Sequence, residues 1–151
     1  MYSRILVPLD CSKRAEAILP HVENLVEHYQ ADVILYGVLE PEPAVLTPDP
    51  FYTPLDPHMY QQRVAEVRDY LTDQATRFHR KGIKAKVEVG EGPIVEKIID
   101  IAERENVDLI AMASHGRTGL SGVFYGSVAA GVLHRIDRPL LLIRSLEDDI
   151  S

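Results

Sequence analysis

The stretch DLIAMASHGRTGLSGVFYGS, residues 108–127, joins an apolar run to a glycine-rich loop and then to the start of a helix. Residues 108–113 are apolar enough to predict a strand that is buried on both faces. Residues 113–127 hold four glycines, three serines and one threonine, a composition typical of a loop. A strand, a loop and a helix in this order form the repeating unit of an α/β protein.

The same unit recurs along the whole chain. Strands are predicted at residues 5–9, 32–39, 84–89, 108–113 and 139–144. Apolar residues recur at helical spacing from Ala15 to Tyr29, Val64 to Phe78, Ile94 to Ile101 and Val128 to Ile136. Five strands alternating with four helices predict one domain over residues 1–151: a doubly wound, open parallel sheet with helices on both faces.

Three segments carry more local predictions. Pro20 falls within the first predicted helix and is expected to bend it, because proline removes a helical hydrogen bond. Residues 84–89, KAKVEV, alternate charged and apolar side chains, which predicts a half-exposed strand at a sheet edge. Residues 40–57 hold six of the ten prolines and predict a long surface loop.

Composition and charge limit the classes of partner. The net charge of −7 argues against nucleic acid and anionic membranes, which require a basic surface. Cys11 is the only cysteine, so no intrachain disulfide can form. The sequence shows neither a signal peptide at its N-terminus nor an apolar run long enough to span a membrane. We therefore expect a cytoplasmic protein.

The loop after Ala113 is a candidate anion site. In doubly wound sheets, ligands lie beyond the carboxyl ends of the strands where the strand order reverses. A helix beginning near Ser127 would present free backbone N–H groups to an anion, and Arg117 could donate two hydrogen bonds to a phosphate. The hydroxyls of Ser114, Thr118 and Ser127 add further donors. A flexible surface loop in which Ser127 only caps the helix is the structural alternative.

Two segments of this chain resemble the universal stress protein family. They are RILVPLDCS near the N-terminus and residues 108–144, and the resemblance runs from the first strand to the last. The nucleotide motif of the family is G-x-x-G, nine residues, then G followed by S or T. Here Ala113, Gly116, Gly126 and Ser127 occupy the four positions with the same spacing, so alanine replaces the first glycine.

The resemblance implies a sheet of strand order 3-2-1-4-5, the adenine-nucleotide alpha-hydrolase-like fold, and a site for ATP or a related adenine nucleotide. By position, Asp10 lies near the ribose and phosphates with Pro8 and Leu9 beside it, and the backbone of Val38 meets the adenine edge. The residues implied against ribose and base are Met112 and Ala113, and those implied around the phosphates are Gly116, Gly126, Ser127 and Val128. The function implied is a nucleotide-dependent regulatory switch in stress responses.

Several alternatives remain open at this stage. Asp10 is also a suitable residue to cap the first helix, and it could instead hold Mg²⁺ that arrives with the phosphates, as in a slow ATPase or autokinase. Cys11 stands where the family usually has glycine; it is expected to be a small buried filler, although a helix N-terminus could lower its pKa. The histidines show no metal-binding pattern, so no metal site is predicted from the protein alone.

Other enzyme and cofactor motifs are absent, and no residue is assigned a catalytic role. Neither GLSGV nor YGSVAAG has the G-x-S-x-G spacing of a serine hydrolase. GEGPIV lacks the third glycine of the dinucleotide fingerprint, and no glycine precedes a Lys-Ser or Lys-Thr pair as in a Walker A loop.

The last strand suggests a protein partner. Residues 140–143, LLLI, are apolar throughout, and at a sheet edge they would leave unpaired backbone groups exposed. Pairing with the same strand of a second copy would cover them, which predicts a homodimer through residues 140–144. A dimeric interaction module without nucleotide is the corresponding alternative function.

Overall fold

The computed structural model describes residues 1–40, 57–115 and 126–145. The strands are β1 (Arg4–Pro8), β2 (Asp32–Leu39), β3 (Ala85–Glu91), β4 (Leu109–His115) and β5 (Leu140–Ser145). The helices are α1 (Leu19–Tyr29), α2 (Pro57–His79), α3 (Ile94–Arg104) and α4 (Ser127–Arg135), and a short 3-10 helix, Ala15–Ile18, precedes α1.

The five strands form one parallel sheet of order β3-β2-β1-β4-β5, as predicted. The order reverses between β1 and β4, where Leu6 pairs with Ile110. β3 is an edge strand, and the apolar Ala85, Val87 and Val89 of its alternating sequence pack against the core while Lys86 is exposed. β5 is the other edge, so both edge predictions are confirmed.

The sheet is packed on both faces by helices. On one face, α1 and α2 cover a core that includes Leu19, Leu71 and Phe78, all fully buried. On the other, α3 and α4 cover a second core that includes Ile98 and Val132. Because the connections from β1 to β3 and those from β3 to β5 place their helices on opposite faces, the fold is doubly wound.

The expected bend at Pro20 is wrong. The 3-10 helix ends at Ile18 and α1 begins at Leu19, so Pro20 lies in the first turn of α1. The missing N–H of a proline has no partner to lose in a first helical turn, and its fixed φ suits the start of a helix. The apolar spacing from Ala15 to Tyr29 therefore covers two successive helical segments.

Glycine ends α2 as the sequence indicates. The backbone N–H of Gly82 donates to the carbonyl of His79, and Gly82 has a φ of +76°. A left-handed residue just after a helix satisfies its last carbonyls, and glycine adopts that conformation without a Cβ clash. Most of the predicted loop, residues 41–56, lies outside the described residues. Within the described ranges, no helix is both long and apolar enough to cross a membrane.

Candidate functional site

A cavity of about 160 Å³ lies at the carboxyl ends of β1, β2 and β4, where the strand order reverses. Nine of the eleven residues predicted for the site line it: Pro8, Leu9, Asp10, Val38, Met112, Ala113, Gly126, Ser127 and Val128. The other two, Gly116 and Arg117, lie outside the described residues. The structure thus brings together residues from four separate parts of the chain.

The turn after β1 places an acidic side chain at the cavity. Asp10 is exposed, and its Oδ1 accepts hydrogen bonds from the backbone N–H of Ser12 at 3.0 Å and from the hydroxyl of Ser12. Among the described residues, none donates a hydrogen bond to its second oxygen, Oδ2. The Ser12 hydroxyl oxygen in turn accepts from the N–H of Ala15 at 3.1 Å. The Ser12 hydroxyl, and not Asp10, therefore accepts the first N–H of the 3-10 helix, which leaves one oxygen of Asp10 for a ligand.

Both expectations for the Cys11 side chain are wrong. Cys11 is exposed rather than buried, and partial desolvation raises the pKa of its thiol, with the neighbouring charges of Asp10 and Glu16 adding to the effect. The φ of Cys11 is +67°, in the left-handed region that favours glycine. That backbone conformation gives a physical reason for the glycine that the family resemblance implies at this position.

The start of α4 forms another wall of the cavity. Gly126 precedes the helix with a φ of +77°, and its carbonyl accepts the N–H of Ala130 at 3.0 Å. Ser127 is the first helical residue, so the helix-cap position belongs to Gly126 and not to Ser127. The first N–H groups of an α-helix have no partner within the helix and carry a partial positive charge. An anionic group in the cavity can use them.

The remaining walls are apolar, with one exception that sequence reasoning missed. The residues not predicted for the site are Ala15, Tyr36, Ile94, Ile98 and Ala129. Tyr36 is 5% exposed, and burial raises the pKa of its hydroxyl, opposed by Arg104 and reinforced by Glu88 and Asp100. The available signal was period two in β2: Tyr36 and Val38 lie on the same face of the strand.

An apolar cavity with a few polar groups at its mouth is typical of small-molecule sites. The profile of the Universal stress protein family matches residues 1–144. The chain belongs to the universal stress protein family. Universal stress protein MJ0577 of Methanocaldococcus jannaschii is 31% identical over 95% of this chain and 96% of its own length.

Solved structures of the family share this architecture. The structure of MJ0577 has a TM-score of 0.80 and 30% identity, covering 98% of this chain and 99% of that chain. A universal stress protein in complex with cAMP has a TM-score of 0.66 and 17% identity, covering 95% of this chain and 98% of that chain. At that identity the likeness shows the fold. The adenine-nucleotide alpha-hydrolase-like fold of this chain agrees with the topology observed above.

Proposed function

We propose that this universal stress protein binds ATP or a related adenine nucleotide in the cavity and acts as a nucleotide-dependent regulatory switch. The observation that carries the proposal is the meeting of an apolar cavity with the N-terminus of α4 at the reversal of strand order. The apolar walls suit a base, and the N–H groups of the helix start suit phosphates. The structure solved with cAMP indicates that this fold can hold an adenine nucleotide.

Each wall of the cavity has a proposed contact. Val38 and Met112 would face the base, while Pro8, Leu9 and Ala113 would lie along the base and ribose. Gly116, Arg117, Gly126, Ser127 and Val128 would surround the phosphates. The free oxygen of Asp10 could meet Mg²⁺ carried by the nucleotide, because Mg²⁺ in such sites combines one or two carboxylates with substrate phosphates. Among the described residues, no group of three or more His, Cys, Asp or Glu side chains forms a metal site without the nucleotide.

Gly126 offers a direct test of the nucleotide site. We expect millimolar ATP with Mg²⁺ to raise the Tm of the wild type, since ligand at about 100 Kd contributes ~2.7 kcal/mol. Gly126→Val should abolish the increase, because a branched side chain at the start of α4 would occupy the cavity. Differential scanning calorimetry with ATP, ADP, AMP and cAMP would also rank the nucleotides.

Gly82→Val is the matched control. Gly82 and Gly126 have φ values of +76° and +77°, so the substitutions impose similar backbone strain. A Cβ on Gly82 would meet no atom within 4 Å, and this glycine lies after α2, away from the cavity. Both variants should have a lower Tm, but only Gly126→Val should lose the response to ATP. Equal responses in the two variants would contradict the proposed site.

Slow ATP hydrolysis or autophosphorylation is the second candidate, favoured by the exposed carboxylate of Asp10 at the cavity. Phosphate release from ATP with Mg²⁺ by wild type and Asp10→Ala would separate it from a pure switch. Hydrolysis that depends on Asp10 would identify an enzyme. Nucleotide binding without such hydrolysis supports a conformational output.

Homodimerisation through β5 forms part of the proposal. β5 lies at the sheet edge, and Leu140 to Ile143 are only partly buried although they pack on both cores. An antiparallel contact between two copies would pair the free edge and cover these side chains. Without nucleotide binding, this contact would support the alternative of an interaction module.

Sedimentation velocity tests the dimer. Leu141→Asp should convert a dimer of the wild type to a monomer, because a carboxylate in an apolar interface is costly to desolvate. Met59→Asp is the control, since Met59 is 57% exposed at the start of α2, far from β5 in the sheet order. A wild type that sediments as a monomer, or a Leu141→Asp variant that remains dimeric, would rule out this contact.

A further inference from the structure

The turn that carries Asp10 is organised by its own hydrogen bonds. The N–H and the hydroxyl of Ser12 both donate to Asp10 Oδ1, and the Ser12 hydroxyl oxygen accepts the N–H of Ala15. The N–H of Glu16 donates to the carbonyl of Lys13, a bond typical of a 3-10 helix. Together these bonds join Asp10 to the start of the 3-10 helix. The position of that helix therefore sets the position of the carboxylate.

A side chain of α2 holds the 3-10 helix from outside this turn. The Tyr70 hydroxyl donates to Glu16 Oε2 at 2.8 Å, although the two residues are 54 positions apart in the chain. Burial, followed by the bond to Glu16, raises the pKa of Tyr70, so the hydroxyl keeps its proton at neutral pH. Charges at Cys11 and Asp10 add to that increase, which agrees with a hydroxyl that lies close to the turn. The contact thus joins α2 to the segment beside the cavity.

We propose that Tyr70, acting through Glu16 and the 3-10 helix, positions Asp10 for the Mg²⁺ that accompanies a bound nucleotide. Tyr70 lies outside the cavity lining, so it is a positioning residue and does not itself contact the ligand. The inference rests on the nucleotide site proposed above and adds a residue of α2 that the family motif does not include. Mg²⁺ requires near-octahedral geometry at about 2.0–2.1 Å from its oxygen ligands, so a carboxylate on a loosened turn binds it less well.

Tyr70→Phe removes the hydroxyl and keeps the ring. Isothermal titration with ATP would measure Kd in Mg²⁺ and in EDTA, which separates the contribution of the metal. We expect Kd in Mg²⁺ to increase by about 3- to 10-fold, the effect of about one hydrogen bond. Kd in EDTA should not change, because Asp10 then has no metal to hold. In an Asp10→Ala background, Tyr70→Phe should have no further effect on either Kd.

Substitutions of Glu16 test the other half of the contact. Glu16→Gln and Glu16→Met both remove the charge and keep a side chain of similar length, but only glutamine has an oxygen that can accept from Tyr70. Kd in Mg²⁺ should therefore be about 3- to 10-fold higher for Glu16→Met than for Glu16→Gln. Tyr29→Phe is the matched tyrosine control: Tyr29 ends α1 outside the cavity lining, so both Kd values should stay at those of the wild type.

Hydrogen exchange of the ligand-free protein gives a second readout. The amide of Ala15 donates to the Ser12 hydroxyl, so its exchange rate reports on opening of the turn. Tyr70→Phe should increase this rate by about 3- to 10-fold, and Tyr29→Phe should leave it unchanged. An unchanged rate in Tyr70→Phe would show that α2 does not hold the turn and would overturn the inference.

The titrations distinguish this inference from the function on which it rests. A wild type that binds ATP equally well in Mg²⁺ and in EDTA would overturn the positioning role and leave the nucleotide site intact. A Tyr70→Phe variant that has a lower Tm but unchanged Kd values would do the same, because the contact would then only stabilise the fold. A loss of equal size in EDTA, or one that persists with Asp10→Ala, would also overturn the inference. A wild type that binds no ATP would overturn both proposals.

Discussion

The two faces of the sheet differ in how closely their side chains pack. On the face of α1 and α2, the side chains between α2 and the sheet pack closely: Phe78 and Leu71 are fully buried, and a Cβ on Gly37 would be 2.7 Å from Val67 Cγ1. On the face of α3 and α4, the packing leaves a cavity beside Ile98 at the carboxyl ends of the strands. One face thus stabilises the fold, and the other leaves room for a ligand.

The two faces also differ in whether their polar side chains have partners within the protein. On the face of α1 and α2, which we call the closed face, Glu23 of α1 forms ion pairs with Arg77 of α2 and with Lys81 just after it. The Tyr70 hydroxyl donates to Glu16 Oε2 at 2.8 Å. These groups are paired with each other. At the cavity, no described residue donates a hydrogen bond to Asp10 Oδ2. A ligand that pairs with this oxygen can add free energy there.

The largest expected effect tests the closed face. Phe78→Ala should lower the free energy of unfolding by about 3–5 kcal/mol, because it removes a fully buried ring and leaves a void. Urea denaturation would measure the loss. If the two faces act separately, the folded variant should retain the Kd of the wild type for ATP.

Met59→Ala is the control for this measurement. Met59 is 57% exposed, and surface substitutions usually change stability by no more than about 0.5 kcal/mol. A change in Kd for Phe78→Ala with no change for Met59→Ala would show that the closed face also shapes the cavity, and the separation of roles would fail.

A smaller effect is expected at the contact between the 3-10 helix and α2. Tyr70→Phe removes the hydrogen bond to Glu16 and should lower the free energy of unfolding by about 1 kcal/mol. Burial and this hydrogen bond raise the pKa of Tyr70, so the hydroxyl remains a donor throughout the neutral range. A double-mutant cycle with Glu16→Gln, measured by urea denaturation, would isolate the pair. A coupling energy of zero would show that the contact contributes nothing.

The smallest expected effect lies at Cys11, beside the cavity at the end of β1. Cys11→Gly should raise the free energy of unfolding by about 0.5 kcal/mol, because glycine relieves the strain of a φ of +67°. The larger chain entropy that glycine loses on folding offsets part of this gain. Asn106→Gly is the matched control: Asn106 has a φ of +50°, but asparagine tolerates that region. An equal gain at both positions in thermal unfolding would contradict a specific strain at Cys11.

Much of the fold was predictable, because the spacing of apolar residues within a short segment of sequence indicates whether that segment forms a strand or a helix. The limits of β2 agree with its apolar run, and the start of α4 agrees with the end of the glycine-rich loop. The charge alternation of residues 84–89 indicated an edge because charged side chains need solvent. The predicted bend at Pro20 failed because proline suits a first helical turn as well as a kink, and apolar spacing does not locate the turn.

The site was predictable only in part. The family resemblance implied residues at the ends of β1, β2 and β4 and at the start of α4, and nine of them line one cavity. Tyr36 was missed because a tyrosine in an apolar strand resembles an ordinary core residue, and only the diagonal contact with Gly90 shows where its hydroxyl lies. Cys11 was misjudged because neither its exposure nor the partial desolvation that raises the pKa of its thiol follows from sequence alone.

The amino-acid sequence by itself determined the alternation of strands and helices, the edge character of β3, and the glycines at φ values that other residues avoid. These features depend on contacts between near neighbours in the chain. Only the tertiary structure decided which side chains share the cavity, that the Ser12 hydroxyl rather than Asp10 accepts the first N–H of the 3-10 helix, and that Tyr36 lies over Gly90 of β3. Those features arise where distant segments meet, and their energies depend on distances that the order of residues does not specify.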